Sequence, residues 1–213
     1  SCSAVVEGNC SDLVDNDTNV STDTFVHDST TGATARASVT ESGAQAGSDS
    51  NDSAISGDGR FVAFESDADN ISVEDNNAAR NIFVRDLVAG TTTLVSRASG
   101  PGGAAADTAS NDPDVSADGR FVVFSSTADN LSTEDNNGFT NIFVRDLIAN
   151  TTTLVSRAPG TAGAGANDDS VIPAISGDGN RVAFQSGANN LSNEDNNAVV
   201  NVSTVYVGAS PEV

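Results

Sequence analysis

The residues of this sequence best able to do chemistry are the carboxylates and amides of a short acidic motif that occurs four times. Each copy has an aspartate, a polar residue and an asparagine in a row, and three copies have a glutamate directly before the aspartate. Ca²⁺ takes about six to eight oxygen ligands, and carboxylate, amide and backbone oxygens all suit it. The motif therefore predicts Ca²⁺ as a bound cofactor. The candidate ligands are Asp17, Asn19, Asp23, Glu74, Asp75, Asn77, Glu134, Asp135, Asn137, Glu194, Asp195 and Asn197.

A second interpretation of the same loops stays open. Aspartate and asparagine side chains also hydrogen-bond the backbone two residues further on, which makes them common turn residues. The sequence has no Asp-x-Asp-x-Asp-Gly run with a glutamate at its twelfth place, the pattern of the best-known calcium loop. The motif therefore predicts either calcium loops or plain side-chain turns.

Groups suited to catalysis are scarce. His27 is the only histidine, and it stands where other copies of its segment have Arg85 and Arg145, so we expect a surface substitution rather than a general base. No nucleophile elbow, phosphate-binding loop or dinucleotide fingerprint is present. Tryptophan is absent and Tyr206 is the only tyrosine, although sugar-binding clefts usually present aromatic platforms. The sequence predicts no enzyme and no catalytic residues, with glycan hydrolysis by paired carboxylates as the remaining catalytic alternative.

The charge balance limits the partners. The 213 residues include 9 Lys and Arg against 30 Asp and Glu, a net charge of −21. Such a surface repels phosphate backbones and anionic lipid surfaces, which argues against nucleic-acid binding. No apolar run approaches the roughly 20 residues that cross a bilayer, so we expect no membrane insertion.

The two cysteines, Cys2 and Cys10, lie close together near the N-terminus. Their spacing matches no metal-binding or haem-attachment motif, so a short disulfide is the simplest interpretation, and two free thiols or bonds to another chain are the alternatives. A disulfide predicts a location outside the cytosol: secreted, at the cell surface or in the periplasm. The sequence has no methionine, so we expect that Ser1 follows a removed signal peptide or an earlier part of a longer chain.

An internal repeat indicates which segments of the chain form the strands around these residues. Several segments return after a spacing of 60 residues without gaps. Ser56–Phe64 returns as Ser116–Phe124 and Ser176–Phe184, Asn81–Leu87 returns as Asn141–Leu147, and Thr91–Arg97 returns as Thr151–Arg157.

Each unit predicts four short strands. In the best-defined unit they are Pro113–Ser116, Arg120–Ser125, Asn141–Leu147 and Thr152–Arg157. Asp118-Gly119 is a tight-turn signal between the first two strands. The second strand is apolar on both faces, which predicts burial on both sides. No segment shows a convincing helical period.

The repeated unit resembles the TolB-like, WD-like β-propeller repeat, and the resemblance extends from about Asp12 to Val207. The motifs that carry it are, in order, S-x-D-G-R-x-V-A-F-x-S, N-L, D-x-N, I-F-V-R-D and T-T-x-L-V-S. The resemblance implies an all-β fold of four-stranded antiparallel blades, arranged around a central channel, in 60-residue repeats. Arg85 and Arg145 lie on the third strand of successive units, and their repetition favours a structural role over a ligand site. We expect them, like Arg97 and Arg157, to bridge neighbouring blades.

The number of blades is unusual. The sequence predicts one domain over residues 1–213 with an incomplete blade at each end. The expected units are an N-terminal cysteine segment at 1–12, a half blade at 13–39, blades at 54–98 and 113–158, and a partial blade at 173–207. About three blades lie below the usual range of about four to eight. Two chains closing one ring, head-to-tail assembly and a fragment of a larger propeller all stay open.

The divergent last segment is either a donor strand for another chain or simply a diverged last strand of its own partial blade. Its assembly residues are Val199, Val200, Val202, Thr204, Val205, Tyr206 and Val207. The leading hypothesis is therefore a secreted, non-enzymatic structural protein whose partner is itself. It would assemble head to tail into a filament by completing half blades, with calcium as a stabiliser. The alternatives are a closed-ring or dimeric propeller that binds a ligand or protein, and a glycan hydrolase.

Overall fold

A computed structural model of the chain describes residues 21–75, 77–134, 137–160 and 163–192, and the backbone of 201–206. This part of the chain is built from β-strands and turns, and it contains no helix long and apolar enough to span a membrane. The strands are β1 (Phe25–Asp28), β2 (Ala33–Arg36), β3 (Ser50–Ile55), β4 (Phe61–Ser66), β5 (Asn81–Asp86), β6 (Thr91–Leu94), β7 (Ser110–Val115), β8 (Phe121–Ser126), β9 (Asn141–Asp146), β10 (Thr151–Leu154), β11 (Ser170–Ile175), β12 (Arg181–Ser186) and β13 (Asn201–Tyr206).

The strands form four antiparallel sheets whose order follows the chain. We call β1–β2 the half-blade, β3–β6 the first blade, β7–β10 the second blade and β11–β13 the third sheet. The innermost strands β3, β7 and β11 lie next to one another in that order, so the sheets pack face to face around them. The expected all-β fold of four-stranded blades is confirmed, and so is the presence of smaller sheets at both ends of the described chain.

The second strand of each blade forms the core because it is buried on both faces. Phe64 on β4 and Phe124 on β8 are fully buried, and each stacks on the phenylalanine opposite it on the third strand at 5.9 Å. One buried cluster joins the first blade to the second, and another joins the second blade to the third sheet. Apolar side chains on both faces of one strand thus connect successive sheets.

The Asp-Gly turns connect the first two strands and also fix the contact between blades. Gly119 has a φ of 70°, which favours glycine, and a Cβ there would lie 2.0 Å from the Phe61 ring of the preceding blade. Asp118 accepts hydrogen bonds from Ser116 Oγ and Arg120 N, which lower its pKa. Asp58 and Asp178 accept the same pair of hydrogen bonds in their units, so all three aspartates are turn residues.

The first strand of each unit begins earlier than the sequence predicts because it contains a bulge. β7 starts at Ser110 rather than near Pro113, and its register shifts between Asn111 and Asp114. At the bulge, Asp112 has a φ of 54°. Ile172 holds the same place in β11 with a φ of 53°, a strained conformation for a β-branched side chain.

Candidate functional site

The two described glutamates of the acidic loops, Glu74 and Glu134, form ion pairs. Glu74 lies 2.5 Å from a guanidinium nitrogen of Arg97, and Glu134 pairs in the same way with Arg157. Each arginine follows the fourth strand of the blade that contains its glutamate. Arg97 and Arg157 therefore join the acidic loop to the end of their own blade. Each also donates to a backbone oxygen in the segment that leads to the next sheet, Gly103 O and Gly163 O.

Asp75 is the loop residue with the most unusual surroundings. It is 7% exposed, and its Oδ1 accepts a hydrogen bond from Asn81 Nδ2 at 3.0 Å. Its Oδ2 is buried without a hydrogen-bond donor in the described chain. Burial, as the main cause, and the charge of Asp69 raise the pKa of the Asp75 carboxyl to about 6, against hydrogen bonds from Asn77 and Asn81 that favour ionisation. A buried carboxylate without a full set of donors favours either a proton or a cation.

The two described asparagines of the loops, Asn77 and Asn137, make side-chain turns. Asn77 Oδ1 accepts from Ala79 N, and its Nδ2 donates to Ala106 O at 2.8 Å. Asn137 repeats both bonds with Phe139 N and Ala166 O. These bonds connect each loop to the segment that leads into the next sheet, which is the structural role left open by the sequence.

Asp23 lies in the half-blade at the place that Asn81 holds in the first blade. It accepts a hydrogen bond from Ser38 Oγ at 2.6 Å, just as Asn81 accepts one from Ser96 Oγ. Arg36 lies 3.5 Å from the second oxygen of Asp23. The carboxylate is therefore held by a cation of its own sheet.

Calcium stays a prediction. No group of three or more His, Cys, Asp or Glu side chains stands together in the described ranges. Among the described candidates, Asp75 alone has a buried oxygen without a hydrogen-bond partner. The other calcium candidates Asp17, Asn19, Asp135, Glu194, Asp195 and Asn197, together with Cys2 and Cys10 of the expected disulfide, lie outside the described residues.

Arg85 and Arg145 bridge neighbouring units, as predicted. Arg85 Nη1 donates to Thr40 O, in the segment that follows the half-blade. Arg145 Nη1 donates to Ala98 O, in the segment that follows the first blade. Desolvation lowers the pKa of both guanidinium groups. Their repeated contacts identify them as structural side chains.

A cavity of about 300 Å³ lies between the first and second blades. Arg97 and Glu74, which form an ion pair, line it together with Arg145, whose terminal nitrogens donate to backbone and side-chain oxygens. The ion pair is therefore internal to the first blade, and Arg145 joins the second blade to the segment that follows the first. His27 lies elsewhere, exposed on β1, with its Nδ1 2.9 Å from Thr34 Oγ1.

The half-blade presents an open edge and an exposed aromatic side chain. β1 pairs with β2 on one side, and no described strand pairs with its other side. Phe25 on β1 is 52% exposed, whereas Phe83 and Phe143 at the same place in the complete blades are fully buried. Ile55 on β3 is 51% exposed, whereas its counterpart Val115 is 6% exposed. Two apolar side chains whose counterparts are buried in the complete blades are therefore exposed at this end of the described chain.

Asp28 lies at the same end and lacks a partner that its counterparts have. Asp86 accepts the turn amides of Val88 and Ala89, and Arg60 donates to both of its oxygens at 2.9 and 2.6 Å. The bonds with Arg60, the largest cause, lower the pKa of Asp86 to about 2. Asp28 accepts the turn amides of Thr30 and Thr31, and no arginine of the described chain pairs with it.

The third sheet is open at the opposite end. β13 pairs antiparallel with β12, so Val202, Thr204, Val205 and Tyr206 lie in the third-strand position of their own sheet. No fourth strand follows in the described chain. The face of β12 that points away from the second blade carries Arg181, which is exposed, with half-buried Ala183 and Gln185. Val199, Val200 and Val207 of the expected donor strand lie outside the described residues.

Comparisons with known proteins concern the fold. No protein-family model matches the sequence, and no curated protein matches it. The chain is similar in structure to putative TolB from Agrobacterium tumefaciens, with 18% identity, a TM-score of 0.44 and coverage of 74% of this chain and 46% of that one. TolB from Acinetobacter baumannii gives 15% identity, a TM-score of 0.45 and coverage of 85% and 37%.

A third similar structure is the β-propeller domain of the Trilobed protease from Pyrococcus furiosus, described as having an open velcro topology. Its identity is 13%, its TM-score 0.40, and the coverage 72% of this chain and 42% of that one. The chain spans less than half the length of each of these three proteins. The sheets described above show the blades directly, and the proteins of similar structure include the TolB proteins that the repeat resembles.

Proposed function

We propose that this chain is a secreted, non-enzymatic structural protein that assembles head to tail through its incomplete end sheets. The observation that carries the proposal is the half-blade, whose β1 edge pairs with no strand of the described ranges and whose Phe25 is exposed where complete blades bury a phenylalanine. An open strand edge beside exposed apolar surface is a template for pairing with another chain. Because the third sheet is incomplete in a different way, the contact joins unlike surfaces, and such contacts propagate into filaments when they do not close a ring.

The repeated charged residues support a structural role. Arg85 and Arg145 make equivalent contacts in successive units, and Glu74 and Glu134 pair with equivalent arginines. A catalytic or ligand-binding centre would instead need groups that differ between units. We therefore assign these side chains to cohesion between and within blades.

The test is negative-stain electron microscopy with sedimentation of the purified 213-residue chain at neutral pH. We expect fibres from the unmodified chain and none from Phe25→Asp, because a carboxylate cannot enter an apolar interface. Val88→Asp is the matched control, since Val88 is 78% exposed in a turn of the first blade. Compact rings or single globules from the unmodified chain would overturn the proposal and favour a ligand-binding propeller.

Calcium is the proposed stabiliser of the acidic loops, and the unpartnered Oδ2 of Asp75 supports it. An ion that binds only the folded chain raises the melting temperature. We expect a chelator to lower the melting temperature of the unmodified chain by more than it lowers that of Asp75→Asn, which removes a ligand from one of the four loops. An equal response of the two proteins would remove Asp75 from any calcium site.

A further inference from the structure

We propose that β1 of one copy replaces β13 on β12 of a second copy, so that the half-blade and the third sheet form one composite four-stranded blade. This inference rests on the proposed head-to-tail assembly and specifies its joint. The partner is a second copy of this chain. β13 then acts as a placeholder that covers the β12 edge until the second copy arrives.

The strand inventory matches without a gap. β11 and β12 are the first and second strands of a blade, and β1 and β2 are the third and fourth. In the second blade, Phe124 pairs with Phe143 and Val123 with Val144. The same register places Phe184 opposite Phe25 and Ala183 opposite Val26. The exposed Phe25 would thereby gain the stacked phenylalanine that both complete blades have at 5.9 Å.

The charges match in the same register. Phe121 pairs with Asp146 in the second blade, so the composite blade places Arg181 directly opposite Asp28. Asp28 already accepts its turn amides and lacks the arginine that Asp86 and Asp146 have. Opposite charges that face each other across antiparallel strands attract, and a guanidinium suits a carboxylate geometrically. Arg181 would supply the missing cation.

The open faces match as well. Gly119 and Gly179 each lie against a phenylalanine of the preceding unit, whereas a Cβ at Gly59 would meet nothing within 4 Å. The composite blade brings Arg181 to the position that those phenylalanines occupy. It also brings Ala183 against Ile55, as Ala63 shares a buried cluster with Val115. The composite blade therefore pairs the open edge of β1 and also covers the face of the first blade that carries Gly59 and Ile55.

β13 fits the third-strand position less well than β1 does. Its register places Ser203 opposite Phe184, where the complete blades have a phenylalanine. Tyr206 lies opposite Arg181, where the complete blades have an aspartate. β1 supplies Phe25 and Asp28 at these two places, so exchange of β13 for β1 gains both apolar burial and a charge pair.

A charge swap tests the register in fibres of the full chain. We expect Arg181→Asp and Asp28→Arg each to raise the critical concentration for assembly by about tenfold, the factor represented by a charge-assisted hydrogen bond. The double variant, which restores opposite charges, is expected to assemble as the unmodified chain does. Asp28→Asn, which keeps an acceptor for the turn amides, is expected to show the smaller loss due to charge alone. Single variants that assemble normally would overturn the register.

A reversible lock tests the displacement of β13. Ala183 and Thr204 are directly opposite in the register of β12 and β13, within the range that a disulfide spans. We expect the variant with cysteines at both positions to stay monomeric when oxidised and to form fibres when reduced, while the unmodified chain forms fibres under both conditions. Fibres from the oxidised variant would overturn the exchange but leave the proposed function intact. A monomeric unmodified chain would overturn the proposed function itself.

Discussion

Asp75 is a buried carboxylate, and one of its oxygens has no donor in the described part of the chain. Its pKa of about 6 lies above the ordinary value of 3.8, so the folded state binds the proton more tightly than the unfolded state does. The resulting stability is fully present below about pH 4 and is lost as the pH rises through 6. At neutral pH the ionised Asp75 therefore opposes folding.

Replacing Asp75 by asparagine is expected to stabilise the fold at pH 7.5 by about 1–2 kcal/mol, because it removes the buried charge and keeps an acceptor for Asn81. Urea unfolding in a chelator at pH 4 and at pH 7.5 measures the difference, which should be smaller at pH 4. A variant less stable than the unmodified chain at pH 7.5 would contradict this account.

Ile172 is a single strained residue on the surface. It has a φ of 53° and is 58% exposed, while the equivalent places hold Asp52 and Asp112, which tolerate positive φ more easily. We expect Ile172→Asn to stabilise the chain by about 1 kcal/mol through release of backbone strain. Thermal unfolding tests this against Ile148→Asn, a change at another exposed isoleucine that is not among the positive-φ residues. Equal effects of the two variants would show that strain is not the cause.

At the scale of elements, the Asp-Gly turn is both a hairpin and a part of the contact between blades. Gly59 and Gly119 have nearly the same φ, 72° and 70°, yet only Gly119 lies against the Phe61 ring. The pair therefore separates the cost of the backbone conformation from the cost of a steric clash.

We expect Gly59→Ala to cost about 1 kcal/mol of folding stability, the cost of a left-handed residue, and Gly119→Ala to cost clearly more. Chemical denaturation of both variants measures the difference. In the composite blade, Arg181 of a second copy lies next to Gly59. We therefore expect Gly59→Ala to weaken assembly by more than its effect on folding explains. Equal stabilities of the two variants would mean that Phe61 moves aside at little cost.

At the scale of the whole molecule, the charge of −21 on each copy opposes assembly. The screening length falls from about 30 Å at 0.01 M salt to about 8 Å at 0.15 M, so repulsion between copies weakens sharply over this range. The pair of Arg181 and Asp28 also weakens, but it is one contact set against the charge of two entire chains.

We therefore expect the critical concentration for fibre formation to fall as salt rises from 0.01 M to 0.15 M, the range over which screening changes most. Sedimentation of fibres across a salt series at neutral pH provides the measurement. Fibres that dissolve as salt is added would show instead that attraction between specific charges dominates the joint.

The sequence by itself determined the repeated unit and its four strands. Strand formation follows from local patterns, such as Phe121–Phe124 with apolar side chains on both faces and Asp118-Gly119 at a turn, and these recur every 60 residues. The same alignment showed incomplete units at both ends. Local chemistry suffices for such features because neighbouring residues determine them.

The partners of the charged side chains became clear only from the tertiary structure. The acidic motif predicts a ligand site, yet Glu74 pairs with Arg97, and Asn77 donates to Ala106 O in the linker to the second blade. Among the described loop residues, Asp75 alone has a buried oxygen without a hydrogen-bond partner. The exposure of Phe25 and the lack of an arginine at Asp28 likewise depend on which sheet covers which. Distances between side chains on different strands are set by packing and register, and a linear sequence does not contain them.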